Sequence, residues 1–236
     1  MAMILAMANS LRSVCLAATL AAAGTTSLAM EVTVVGHAIV LSGTVKGDEL
    51  AKVKNAFAKD PAINLAILRN SWGGHAPTGY RIGELFRERG MTTAVSGYCV
   101  SSCSRMFLGG RERVFTDDYP ASQSFVGFHG HYDARGNLNT KIMAQHGLYP
   151  WIIKFSDGKA DEALVQRWVN IPRASGAVNF YHPDVAASHK ASVFICDGSE
   201  RIRPLGCATL PTDALARGVI TDTRRIASPD QAGIPR

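Results

Sequence analysis

The 236-residue sequence has no apolar run long enough to cross a bilayer as a helix, which takes ~20 consecutive residues. It has no internal repeat and no low-complexity segment, so neither a repeat array nor a biased linker organises it. Basic residues, 25 against 19 acidic ones for a net charge of +6, are scattered rather than striped. That excludes an RNA or DNA footprint and leaves only a mild, unspecific attraction to an anionic cell envelope. Cysteine is scarce, five residues at 15, 99, 103, 196 and 207. A C-x3-C pair with a distant C-x10-C pair is poor zinc spacing, so no metal site is expected. Acidic residues are missing altogether before Glu31.

That acid-free start is informative. Arg12 is followed by a run of about ten apolar residues, Val14 to Ala23, and then by Ser27-Leu28-Ala29. Small residues three and one places before a cut after Ala29 match the shallow pockets of a signal peptidase. Residues 1–29 are therefore predicted to be a cleaved secretory signal, leaving no stable membrane anchor and a periplasmic or secreted protein. Cys15 lacks a small-residue lipobox and leaves with the signal. The remaining 207 of 236 residues fit one domain, predicted over 30–227, with a loose tail at 228–236 carrying two prolines. Four cysteines in an oxidising compartment predict two disulfides. Three pairings are open in principle; closeness in the chain favours Cys99–Cys103 and Cys196–Cys207.

Hydrophobic periodicity gives strands at 31–42 (broken by Gly36), 63–68, 92–96, 113–115 and 124–128, with helices at 48–58, 78–89 and 101–108 between them. Such alternation predicts an α/β fold with a mostly parallel sheet. Residues 142–155 and 160–169 read as a helical insert, 192–196 as a strand, 212–217 as a short helix and 219–222 as a closing strand. Trp151, Trp168, Phe155 and Tyr149 of the insert are expected in the core or in subunit contacts.

Three segments carry chemistry. Asn70-Ser71-Trp72-Gly73-Gly74 joins a buried strand to a helix, and its adjacent glycines leave N–H groups uncovered that can stabilise an oxyanion. Gly97-Tyr98-Cys99-Val100-Ser101-Ser102-Cys103 makes a second strand-to-helix junction. A serine there is most often a helix cap, yet the place also suits a nucleophile with an exposed hydroxyl, and a cysteine pair around Ser101 is a costly device for a mere cap. Gly127-Phe128-His129-Gly130-His131 places His129 at a strand end, 28 residues after Ser101, where it can return as a general base. His131 has the same parity and competes for the role.

In this order the three segments resemble the Clp protease proteolytic subunit of the crotonase-like superfamily, and more closely a branch of exported Clp-like proteins with a cysteine on each side of the nucleophile loop. The resemblance covers about residues 38–130 and weakens towards 222. It implies repeated ββα units with a helical insert, Ser101 as nucleophile four residues after Gly97, and His129 as base. The N–H groups of Gly74 and Ser102 would form the oxyanion hole, with Gly73 supporting the turn. It also implies a peptide or protein substrate and a homo-oligomer built through the helical part. The family's third member is an aspartate shortly before the closing helix, but counting back from Ala214 reaches Gly206 and Cys207. Asp184 is the candidate in its place, with Asp133 and Asp197 behind it. A Ser–His dyad, or a lysine base at Lys141 or Lys154, are the alternatives. The expected activity is that of an exported serine peptidase without cofactor; a non-catalytic binding or assembly module on the same fold is the rival. An acyl-thioester activity shares the oxyanion logic, but an exported protein rarely meets coenzyme A and no basic cluster suits its phosphates.

Overall fold

The computed structural model describes residues 29–200 and 204–229. The predicted signal, apart from Ala29, lies outside the described residues, as do positions 230–236. The chain opens with an antiparallel hairpin, β1 (Glu31–Val35) and β2 (Ala38–Ser42), turning at Gly36. Then α1 (Glu49–Lys59), β3 (Leu65–Ser71), α2 (Ala76–Glu88), β4 (Thr92–Val100), α3 (Ser102–Leu108), β5 (Glu112–Thr116) and β6 (Phe125–Phe128) follow in alternation. Next come α4 (Thr140–Gln145), α5 (Leu148–Phe155), α6 (Glu162–Val169), β7 (Ala177–Tyr181), α7 (Ala186–His189), β8 (Val193–Cys196), β9 (Ala208–Thr209) and β10 (Arg225–Ile226). The sheet runs β1-β2-β3-β4-β6-β7-β8-β9, with β5 and β10 branching from β4. Its centre, from β2 through β4 to β5 and β6, is parallel, and the β6–β9 side is antiparallel. This is the α/β fold with a largely parallel sheet that the alternation predicts.

The central strands read as unbroken apolar runs because both of their faces are covered. Ile39, Leu41, Ala66, Leu68 and Val95 pack in one cluster with Val53 and Phe57 of α1 and Ile82 and Phe86 of α2. The alternate residues Val40, Ile67, Ala94 and Val114 form a second cluster on the opposite face. Full burial of a side chain such as Ile39 or Phe86, both 0% exposed, contributes ~1.5–3 kcal/mol.

β4 is the pivot. Thr92–Val95 pair with β5, whereas Tyr98–Val100 pair with β6. The switch falls at Gly97, which has φ +74°, and a Cβ there would lie 2.0 Å from Asn70 Oδ1. The register between β3 and β4 also shifts here, between Arg69 and Ser71. A side chain at 97 would displace the Asn70 side chain, which donates to Tyr119 Oη at 2.7 Å.

Four sequence expectations differ from the structure. The helix expected over 142–155 is two helices, broken at Gly147 in the left-handed region. β7 lies between the helical insert and the 192–196 strand, where the sequence reading places no strand; its residues are buried on both sides and give no alternation. Residues 212–222 are turns rather than a helix and strand. They are held by hydrogen bonds instead of by ladders: buried Arg113 donates to the carbonyls of Gly110, Gly218 and Val219 and pairs with Asp157 at 2.7 Å. Finally, Ser228, at the head of the tail expected to be loose, is buried and accepts a 2.6 Å hydrogen bond from Arg69. The insert aromatics Trp151, Trp168 and Phe155 are buried in the core. Among the described residues no helix is long and apolar enough to cross a membrane.

Candidate active site

Ser101 follows directly on β4 and caps α3 with φ 59° and ψ −124°, and its side chain makes no capping hydrogen bond. A non-glycine residue in that region costs roughly 1–3 kcal/mol and persists only where its surroundings fix it. Several contacts do so. Ser101 N–H donates to the Gly127 carbonyl at 3.1 Å, and Ser104 returns N–H and Oγ bonds to the Ser101 carbonyl. Cys99 and Cys103, both fully buried, are joined by a disulfide across the junction. The second disulfide is Cys196–Cys207, so both cysteine pairs favoured by proximity are present. Glu200 lies within 4.8 Å of Cys196 and Cys207, but their sulfurs are taken by that bond.

The Gly73-Gly74 turn is pressed against this junction. Gly73 has φ +88°, and a Cβ on it would sit 2.6 Å from the Val100 carbonyl, 2.7 Å from Ser101 Cβ and 2.8 Å from Ser102 N. The turn is tied from behind: Val45 N–H donates to Gly73 O and His75 N–H donates to Val45 O, each at 2.9 Å. The Gly74 amide lies between those two bonded positions. Among the described residues neither the Gly74 N–H nor the Ser102 N–H is spent on a backbone acceptor. An oxyanion is held by donors that are unspent in this way. α3 itself is seated by α2, where a Cβ on Gly79 would meet the Ser102 carbonyl at 2.4 Å and one on Gly83 the Arg105 carbonyl at 2.4 Å.

The parallel register Val100↔Gly127 puts Ser101 level with Phe128, and His129 one residue further along the neighbouring strand. His129 is 8% exposed, and its Nδ1 meets the Gly176 carbonyl at 3.1 Å. A carbonyl only accepts, so Nδ1 carries the proton and Nε2 is the accepting nitrogen. His129 lines a cavity of about 510 Å³ with Trp72, Val100, Ala174, Ser175, Gly176 and Glu200. Trp72 stacks beside Tyr98 with ring centroids 4.4 Å apart and gives the cavity an aromatic wall. Among the described residues no hydrogen bond joins Ser101 Oγ to His129.

His131 faces elsewhere. Its Nε2 is 3.0 Å from Tyr80 Oη, and burial first, then the positive charge of Arg105, with His146 and His129 adding, hold it down at about 3. It is neutral at ordinary pH and lies outside the cavity lining. Asp184 does not reach His129: it is exposed and contacts His182 Nδ1 at 3.2 Å. Asp133 folds back on its own turn through Arg135 and Asn137, and Asp197 pairs with Arg173 and Ser199. Lys141 and Lys154 are exposed on α4 and α5. The partner of His129 Nδ1 is thus a main-chain carbonyl, which leaves no residue type for a sequence to display. Arg105 was also missed. Its signal was present: a lone cation in the otherwise apolar and small run Ser102–Leu108.

No family model matches the chain, and no curated protein matches it. Solved structures do. A mutant ClpP1 from Listeria monocytogenes superposes with a TM-score of 0.50 at 12% identity, over 82% of this chain and 93% of that one. A probable enoyl-CoA hydratase from Mycobacterium tuberculosis gives 0.42 at 11% identity, over 86% of this chain and 76% of that one. A membrane-bound stomatin-specific protease gives 0.45 at 12% identity, over 82% and 78%. At these identities the likeness is one of fold alone: the chain has a ClpP-like α/β architecture, carried by the first superposition.

Proposed function

We propose that the chain is an exported serine hydrolase acting on short or already unfolded peptides, with Ser101 as nucleophile and His129 as base. The observation that carries this reading is Ser101's backbone: a left-handed serine at a strand–helix junction, braced by a disulfide and by a glycine turn within van der Waals contact. Such strain has no use in an ordinary helix cap. In the reaction, Ser101 Oγ attacks a carbonyl as its proton passes to His129 Nε2 and on to the leaving amine as the C–N bond breaks; water, giving a proton to His129, then attacks the acyl-serine ester, and that proton returns to Ser101 Oγ as the acid leaves. The Gly74 and Ser102 N–H groups hold the oxyanion, each worth ~10²–10³ in rate. The cavity beside His129 receives an apolar stretch of substrate against Trp72. Export removes any cytosolic ATP-driven unfoldase, which is why the substrate must be short or unfolded.

The test is labelling of the mature protein by an active-serine phosphonate. Labelling that disappears in Ser101→Ala is expected; equal labelling of the mutant removes Ser101 from this role. A second reading, a binding or assembly module of the cell envelope, is favoured by the carbonyl that stands where a carboxylate would support the base. It requires no labelling at all, together with a stable oligomer in a sizing measurement or a partner recovered by cross-linking in the envelope.

A further inference from the structure

Arg105 on α3 is only 2% exposed, yet its Nε and Nη1 have no hydrogen-bond partner. No carboxylate among the described residues pairs with it. Its Nη2 donates to the main-chain carbonyl of His129 at 3.2 Å, and its guanidinium lies 5.3 Å from the Tyr80 ring centroid. Buried charges are normally paired, because desolvation is costly and an uncompensated guanidinium bears that cost in full. A buried cation retained without a counter-ion, and aimed at the residue that carries the base, calls for a role at that residue.

We propose that Arg105 is a positioning residue for His129: its hydrogen bond pins the end of β6, and its buried charge keeps the imidazole in the neutral, proton-accepting form. This rests on the reading of His129 as base. Three described titratable groups lie near that imidazole. Tyr132, 5.1 Å away between ring centroids, is pushed up by burial to about 12 and is neutral. His131 is neutral as described. Glu200 lines the open cavity, with its carboxylate accepting from the Asp197 and Gly198 N–H groups. The effect of the Arg105 charge already registers two residues along, where it helps to hold His131 neutral.

The experiment follows the His129 ring by ¹⁵N NMR across pH in the Ser101→Ala protein, with Arg105 intact and as R105M, R105Q and R105K. Removing the charge in R105M or R105Q is expected to raise the His129 midpoint by about one pH unit. R105K, which keeps the charge, is expected to leave it within a few tenths. In the protein with Ser101 present, phosphonate labelling of R105M or R105Q should fall up to about twofold more at pH 6 than at pH 8, as a one-unit rise from a midpoint of about 5 requires. An unmoved midpoint in a folded neutral variant overturns the proposal. If neither neutral variant folds, R105K decides: displacement by more than half a unit overturns it, and an unmoved midpoint supports it. Because the titration needs no activity, a protein that labels nowhere but shows the shift sinks the hydrolase reading and leaves Arg105's action on His129 standing.

Discussion

Substituting Gly73 by alanine separates backbone strain from damage to the site. Any L-residue at φ +88° loses about 1–2 kcal/mol relative to glycine. The new Cβ would also stand 2.6–2.8 Å from three atoms, two of them main-chain. Neither the Val100 carbonyl nor Ser102 N can rotate away, so the turn and the Ser101 junction must part by several tenths of an ångström, and overpacking adds about 1–3 kcal/mol. The total is about 2–5 kcal/mol. Gly36 is the control: it has φ +57° and nothing within 4 Å of its would-be Cβ, so its alanine variant carries only the backbone part. Urea unfolding of both variants should place Gly73→Ala at least 1 kcal/mol below Gly36→Ala. On the proposed reading, phosphonate labelling of Gly73→Ala should also drop at least about tenfold, since a full ångström of displacement of catalytic groups costs about 10². If the two variants are equally stable and both label at the wild-type rate, the contact between the glycine turn and Ser101 has no functional meaning.

Two further predictions concern the scaffold. Burial works against ionising Asp157, but the Arg113 hydrogen bond and charge, with Arg87 behind them, outweigh it and hold the carboxyl below its usual range. A depressed carboxyl stabilises the fold above its unfolded value near 4 and loses that contribution as pH falls through its folded value. Asp157 is half exposed, 47%, so Asp157→Asn should cost only about 1–2 kcal/mol at pH 7. The difference from wild type should shrink towards pH 3 in urea melts; a pH-independent difference refutes the ion pair. The disulfides should separate by role. Cys99 and Cys103 close a loop with a sequence separation of 4, Cys196 and Cys207 one with 11, so serine replacement should cost about 2 and about 3 kcal/mol respectively. Labelling should fall in the opposite order, most for the pair around Ser101. Greater loss on removing Cys196–Cys207 would contradict the bracing role of the first pair.

Much of the frame was legible because its physics is local. Unbroken apolar strands alternating with amphipathic helices through β6 reported a sheet covered on both faces, and the cysteine spacing gave both disulfides. The glycine turn and the serine junction were visible as residue types, and the structure brings Gly73 against Ser101. What failed was non-local. β7 lacks alternation because both of its faces are buried. The 212–222 segment carries helical-looking residues but is held by Arg113 and Asp157 from distant parts of the chain. The search for a third carboxylate failed for a different reason: the group beneath His129 is the Gly176 carbonyl, and main-chain atoms leave no trace in composition or spacing.

That carbonyl changes the chemistry in a definite direction. A carboxylate and a carbonyl both accept the Nδ1 proton and so both select the tautomer that exposes Nε2. Only the carboxylate offsets the positive charge the imidazole gains when it takes the serine proton. Here the acceptor is neutral, and Arg105 adds a second positive charge bonded to the same residue's main chain. On the proposed reading the imidazolium gains no carboxylate to offset its charge. The burden of lowering the barrier passes to groups that act on the oxyanion, which makes the placement of the Gly74 and Ser102 N–H donors matter more than in a fully charged triad. The braces found around Ser101 lie on that side of the site: the glycine contact, the buried disulfide, and the close seat of α3 on Gly79 and Gly83. A site of this kind is built on rigid donors rather than on a strong base.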